Sequence, residues 1–149
     1  QIMLARKFGD WLSIQVTPTI VHRNLVQLAS DKNSIFSLGL GSSVKLTKAM
    51  RFNAEYYMIL PSNQILSEIQ GEKVRNAFSF GIDLETGGHV FQLHFTNAQG
   101  MHEKFLASET TGRWLNGDIH FGFNVSRVFT IYDRYAKREK REVRKKTTL

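Results

Sequence analysis

Residues 78–97, FSFGIDLETGGHVFQLHFTN, restrict the fold more than any other stretch of the chain. Phe78, Phe80, Ile82 and Leu84 share one parity, and Ser79, Gly81, Asp83 and Glu85 share the other. After Gly87-Gly88 the alternation resumes, with Phe91, Leu93 and Phe95 set against Gln92, His94 and Thr96. A period of two means strands, because successive side chains point to opposite faces. Two glycines between such runs predict a tight hairpin, since both turn positions tolerate positive φ. One face of this hairpin is aromatic and the other carries amides, imidazole and carboxylates. A soluble sandwich can use such a sheet, with the greasy face in a dry core. So can a membrane barrel turned inside out, with the greasy face in lipid.

The same alternation recurs along the chain. A short run reaches Phe8 and is followed by a Gly9-Asp10 turn. Leu12, Ile14, Val16, Pro18 and Ile20 then alternate with Ser13, Gln15, Thr17 and Thr19. Pro18 cannot donate to a ladder, so it predicts a bulge or an edge position. Phe36, Leu38 and Leu40 alternate with Ser37, Gly39 and Gly41, in a run that extends to Leu46. Phe52, Ala54, Tyr56, Met58 and Leu60 alternate with Arg51, Asn53, Glu55 and Tyr57. The last run sets Ile119, Phe121, Phe123 and Val125 against Asp118, His120, Gly122, Asn124 and Ser126. Seven strands result, most about ten residues long; tilted membrane strands need about 9–11, whereas ordinary strands average roughly 5–6. Their connections alternate strictly between short turns and long polar loops at residues 24–33, 61–75 and 98–116. That sorting is the mark of an outer-membrane barrel, and a sandwich has no reason for it. The expected fold is therefore all-β: an antiparallel up-and-down transmembrane β-barrel of outer-membrane type, with seven strands visible as part of a larger barrel.

Composition narrows the chemistry. The 149 residues suit one domain, or part of one. No stretch approaches the roughly 18 apolar residues of a transmembrane helix. Cysteine is absent, which excludes thiol catalysis, cysteine metal sites and disulfides. Gln1 begins inside a strand-like run, so a removed leader or upstream sequence is expected. The net charge of +7 is uneven: residues 130–149 hold 8 Lys/Arg against 3 Asp/Glu, while residues 1–129 hold 12 against 10. The expected division is a barrel portion at 1–129 and a basic tail at 130–149.

Two segments carry a family likeness: ETGGHVFQLHFTNAQGM, residues 85–101, and TTGRWLNGDIHFGFNVSRVF, residues 110–129. TPTIVHRNLV, residues 17–26, and NAEYY, residues 53–57, add weaker matches. On these the chain resembles the DUF5777 family of β-barrel proteins from Bacteroidota, over about residues 1–129 and the C-terminal half of such proteins. The resemblance implies an outer-membrane barrel and no known activity. Family members carry further strands upstream and end near the position of Phe129, whereas this chain continues for 20 residues beyond it.

The polar parity is expected to line a lumen: Gln15, Asn53, Glu55, Asp83, Gln92, His94, His120 and Asn124. The apolar parity is expected to face lipid: Phe80, Ile82, Phe91, Leu93, Phe95, Phe121 and Phe123. If paired residue numbers around the last loop sum to about 214, His94 faces His120, with Asp83 one strand away opposite Gln92. Two imidazoles and a carboxylate are ligand types for a divalent metal. A hydrogen-bonded lumen lining accounts for them equally and is preferred, so no metal and no cofactor is expected. Glu55, Asp83, Glu85 and Asp118 share a parity with Arg51, and paired carboxylates suit acid–base catalysis. Interior barrel charges more commonly form ion networks, and no nucleophile, phosphate-loop or nucleotide motif is present; no enzyme is expected. Trp11, Tyr56, Tyr57, Trp114 and Tyr132 suit interfacial girdles.

The tail RYAKREKREVRKK runs from Arg134 to Lys146 and holds 8 Lys/Arg against 2 Glu. A solvated extension is its plain reading; docking on an envelope protein is the functional one, and nucleic acid is excluded by a periplasmic position. The expected function is a passive pore or a scaffold subunit of an envelope complex in the bacterial outer membrane, in contact with outer-membrane lipid. The alternative is a soluble lipocalin-like barrel around an apolar ligand, which reverses the faces and buries Phe91 and Phe95. With Phe129 as a terminal aromatic at the periplasmic side, the long loops are extracellular. An even strand number then requires an odd number of strands beyond the seven, so the chain is expected to be a fragment or one piece of a composite barrel.

Overall fold

The computed structural model describes residues 1–25, 33–60, 68–69, 72–100 and 102–127. Seven strands form one antiparallel sheet in chain order: β1 (Leu4–Phe8), β2 (Leu12–His22), β3 (Ser34–Lys45), β4 (Met50–Ile59), β7 (Ala77–Thr86), β8 (His89–Thr96) and β9 (His120–Arg127). A two-residue hairpin, β5 (Glu68–Ile69) with β6 (Glu72–Lys73), lies within the second long loop. The sheet is open, with β1 and β9 at its edges. Phe129 and the basic tail at 130–149, with Tyr132, lie outside the described residues.

Local chemistry sets the pairing. Gly87 and Gly88 both adopt positive φ, at 56° and 86°, and the β7–β8 hairpin pairs Asp83 with Gln92 as expected. Pro18 lies opposite Leu38 in the β2–β3 ladder, and its carbonyl accepts from the Ile2 amide on the β1 side. A strand residue sends its N–H and C=O to the same side. The donor that proline lacks therefore falls opposite Ile2, just before β1, so it costs one bond there and none within Leu4–Phe8.

The β8–β9 pair departs from expectation. His94 lies opposite Gly122, and His120 opposite Thr96. The register is shifted by two residues, which keeps every side chain on its expected face but separates the imidazoles. A long loop sets no register, whereas the Gly-Gly turn does.

The loop between β8 and β9 contains helix α1 (Glu103–Ser108) and a 3-10 turn (Trp114–Asn116). The buried core sits where this loop meets the strand ends. Tyr57, Ala77, Ala98 and Ala107 form one cluster, joined by Val21 and Leu106. Ile35, Ile59 and Val74 form another.

Candidate functional site: the cavity face and its cover

A cavity of about 460 Å³ lies on the polar face of the sheet. Its lining runs from Ala5 on β1 to Asn124 on β9, so the sheet curves around it. Gln15, Asn53, Glu55, Asp83, Gln92, His94 and Asn124 all line it. His120, half-buried opposite Thr96, does not. Three strands are tied across this face by one chain of hydrogen bonds. Asn124 Nδ2 donates to Gln92 Oε1 at 2.9 Å, and Gln92 Nε2 donates to Asp83 Oδ1 at 3.2 Å. Ser79 Oγ donates to Thr96 Oγ1 at 2.8 Å, and Gln15 Nε2 to Thr17 Oγ1 at 3.0 Å. The lining holds two carboxylates and one imidazole, with no Lys or Arg.

Large side chains on this face lie over glycines on neighbouring strands. Tyr57 is opposite Gly39, and a Cβ there would come within 2.6 Å of the Tyr57 ring. His94 has Gly81 on one side and Gly122 on the other, and its ring occupies the space of a Gly122 side chain. The glycines let both rings lie along the wall instead of projecting into the cavity.

Helix α1 covers the long-loop end of this face and touches β2, β3 and β4. Ala107 is fully buried against Tyr57 and Ala77, and Leu106 packs beside it while also lining the cavity. Polar contacts fasten the end of the helix. Arg23 donates to the Ser108 carbonyl at 2.9 Å and lies 3.8 Å from Glu109, which Lys104 also reaches at 2.9 Å. Ser108 and Thr110, both buried, return their hydroxyls to the Lys104 and Phe105 carbonyls. Asn97 closes the base of the loop: Nδ2 donates to the Asn76 and Gly112 carbonyls, and Oδ1 accepts from the Phe78 amide. At the opposite end Lys7 lies 3.1 Å from Asp10, and this hydrogen bond holds the exposed Asp10 carboxyl below the usual range.

The other face is aromatic and, among the described residues, uncovered except at the rim. Phe121 and Phe123 are 61% and 55% exposed, and Phe95 is 39% exposed. Phe80, Phe91 and Leu93 are half-buried by neighbours on the same face. Phe52, Phe80, Phe95 and Phe121 form a row across β4, β7, β8 and β9, with centroids 6.4, 5.5 and 5.4 Å apart. Trp114 reaches over the rim onto this row. Its ring stacks on Phe80 at 5.5 Å, meets Phe78 edge-on at 5.7 Å, and donates its indole N–H to the Phe78 carbonyl.

A curved, open antiparallel sheet with a polar cavity and a bare aromatic face agrees with what family comparison finds. The family model described as a membrane-bound β-barrel domain, DUF5777, matches residues 1–129. The chain belongs to the DUF5777 family. No curated protein and no solved structure matches it.

In this DUF5777 domain the sequence-predicted positions divide as the register dictates. The predicted facing pair of His94 and His120 does not form, and Asp83 is bonded to Gln92. Among the described residues no three His, Asp or Glu side chains group closely enough to hold a metal ion. Sequence reasoning missed α1 and the glycines beneath Tyr57 and His94. The glycines were visible as Gly39, Gly81 and Gly122 on the polar parity. α1 is six residues long, too short for a helical period to show.

Proposed function

We propose that this DUF5777 domain forms part of the wall of a bacterial outer-membrane barrel, and that it serves as a closed scaffold in the envelope rather than as an open diffusion pore. The observation that carries this reading is the seating of α1. Leu106 and Ala107 pack on the inner wall at Tyr57 and Ala77, and Arg23, Lys104 and Glu109 fasten the helix there. A diffusion pore keeps that mouth open. Here α1 covers the part of that mouth at β2, β3 and β4 by apolar packing and hydrogen bonds.

The outward assignment of Phe80, Ile82, Phe91, Leu93, Phe95, Phe121 and Phe123 to lipid is supported by their common face and by the absence of any covering layer among the described residues. The lumen assignment of the polar parity is supported by the cavity it lines, with His120 at its margin. A lipocalin-like barrel needs Phe91 and Phe95 turned toward the cavity, and they belong to the opposite parity from its polar lining. In this reading the long loops face outward, the short turns face the periplasm, and a partner in the envelope is engaged through the segment from Arg134 to Lys146.

The passive-pore reading keeps one observation in its favour, a polar cavity carrying Glu55 and Asp83 without a cation in its lining. Planar-bilayer recording on the full-length protein separates the two. The expected result is no steady channel current. A steady current that changes in Glu55→Gln or Asp83→Asn replaces the scaffold with a cation-preferring pore.

A further inference from the structure

A second pocket, of about 390 Å³, lies at the rim between the start of β7 and the 3-10 turn. Arg75 and Arg113 both line it, together with Asn76, Asn97, Asn116 and Trp114, and no carboxylate does. The Arg75 guanidinium has its Nε buried without a hydrogen-bond partner, and among the described residues neither arginine forms an ion pair. Glu109, the nearest acid in sequence to Arg113, is paired with Arg23 and Lys104, and Asp118 accepts the Arg113 backbone N–H at 2.9 Å. A buried guanidinium N–H without an acceptor is costly, and the exposed Arg113 adds a second guanidinium without an ion pair among the described residues, so the pocket is poised for an anion.

The pocket is also built rather than incidental. The Arg75 amide donates to the Thr110 carbonyl at 2.6 Å, which ties the β7 approach to the loop. Asn97 braces the floor with its three hydrogen bonds. Trp114 is held by its indole bond, by its edge-on contact with Phe78 and by its stacking on Phe80. Because Trp114 lies on the aromatic face, the pocket opens where that face meets the loops, which in a barrel is the level of the lipid headgroups.

We propose that Arg75 and Arg113 bind a phosphate group in this rim pocket. The planar guanidinium fork matches phosphate oxygens in bidentate geometry, and charge-assisted bonds of this kind are about twice as strong as neutral ones. The phosphate belongs either to a lipid headgroup whose acyl chains run down the Phe78–Phe80–Phe95 face, or to a free anion. Only that choice of source rests on the membrane reading above.

The test uses the full-length protein in neutral detergent. Inorganic phosphate is titrated by calorimetry, and phosphatidic acid against phosphatidylcholine is followed as bound adducts by native mass spectrometry. Arg75→Gln with Arg113→Gln is expected to weaken binding about tenfold or more, the loss of two charge-assisted contacts. Arg6→Gln, on the distant β1, is expected to leave it unchanged. Arg113 is exposed, so Arg113→Gln alone serves if the double variant misfolds, with a smaller loss expected. Arginine-dependent adducts of phosphatidic acid identify the source as lipid; arginine-dependent binding of inorganic phosphate without lipid preference identifies a free anion. No binding of either probe, or binding equal in wild type and variants, overturns the proposal. A chain that proves soluble but still binds phosphate through these arginines removes the membrane reading and leaves the site standing.

Discussion

The two faces of the sheet are built from the same strands by opposite rules. On β8, Gln92 and His94 line the cavity, while Phe91, Leu93 and Phe95 share the opposite parity. On the cavity face the rings of Tyr57 and His94 have glycine opposite them, Gly39 for Tyr57 and Gly81 and Gly122 for His94, and polar groups are chained by hydrogen bonds. On the outer face Phe52, Phe80, Phe95 and Phe121 stand side by side, and among the described residues only Trp114 at the rim stacks on them. A sheet in a sandwich needs shape complementarity at about 10 Å from a second sheet. A sheet in lipid needs only apolar surface, because fluid acyl chains adapt to it. The close fit therefore belongs to the polar side and the loose packing to the greasy side. This inverts a soluble protein and matches a membrane barrel.

The largest expected effect breaks this contrast directly. Leu93→Arg places a charge mid-strand on the apolar face and is expected to cost about 2–4 kcal/mol of folding free energy in lipid. Gln92→Arg, one residue away, faces the Asp83 carboxylate across the β7–β8 pair and is expected to cost far less. Chemical denaturation of the lipid-reconstituted variants measures the difference, and equal costs would argue against the assignment of faces. A smaller effect sharpens the fit of the cavity wall. Gly39→Val would push against Tyr57 and its cluster with Ala77 and Ala107, at an expected cost of about 1–3 kcal/mol. Because that cluster seats α1, limited proteolysis within residues 98–119 should quicken in the same variant. Unchanged proteolysis would show that Tyr57 does not hold the cover down.

What was legible in the sequence follows from the same physics. Strand parity is a local property, so all seven strands could be read from alternation alone. The β7–β8 register was readable because two positive-φ glycines allow only a tight turn. The β8–β9 register was not, because residues 97–119 set no fixed separation; the expected pairing of His94 with His120 was two residues out. α1 left no trace because its hold on the wall depends on Leu106 and Ala107 meeting Tyr57 and Ala77, a contact between distant segments rather than a sequence period. Trp114 stood out in the sequence as an aromatic suited to an interfacial girdle, but its fold-back onto Phe78 and Phe80 did not, because that depends on the 3-10 turn. The rim pocket joins Arg75 to Arg113 across the whole β7–β8 hairpin, so nothing local to either arginine announces it.

The central claim is that the aromatic face meets lipid and the polar face meets water. The chain contains no cysteine, so a single nitroxide label can be placed at Leu93→Cys or at Gln92→Cys without background. Power-saturation electron paramagnetic resonance on the labelled protein in bilayers compares collisions with oxygen, which concentrates in lipid, against a water-soluble nickel chelate. The expected result is an oxygen-dominated label at 93 and a chelate-dominated label at 92. The same accessibility at both positions, or the reverse order, would contradict a barrel with this face turned outward.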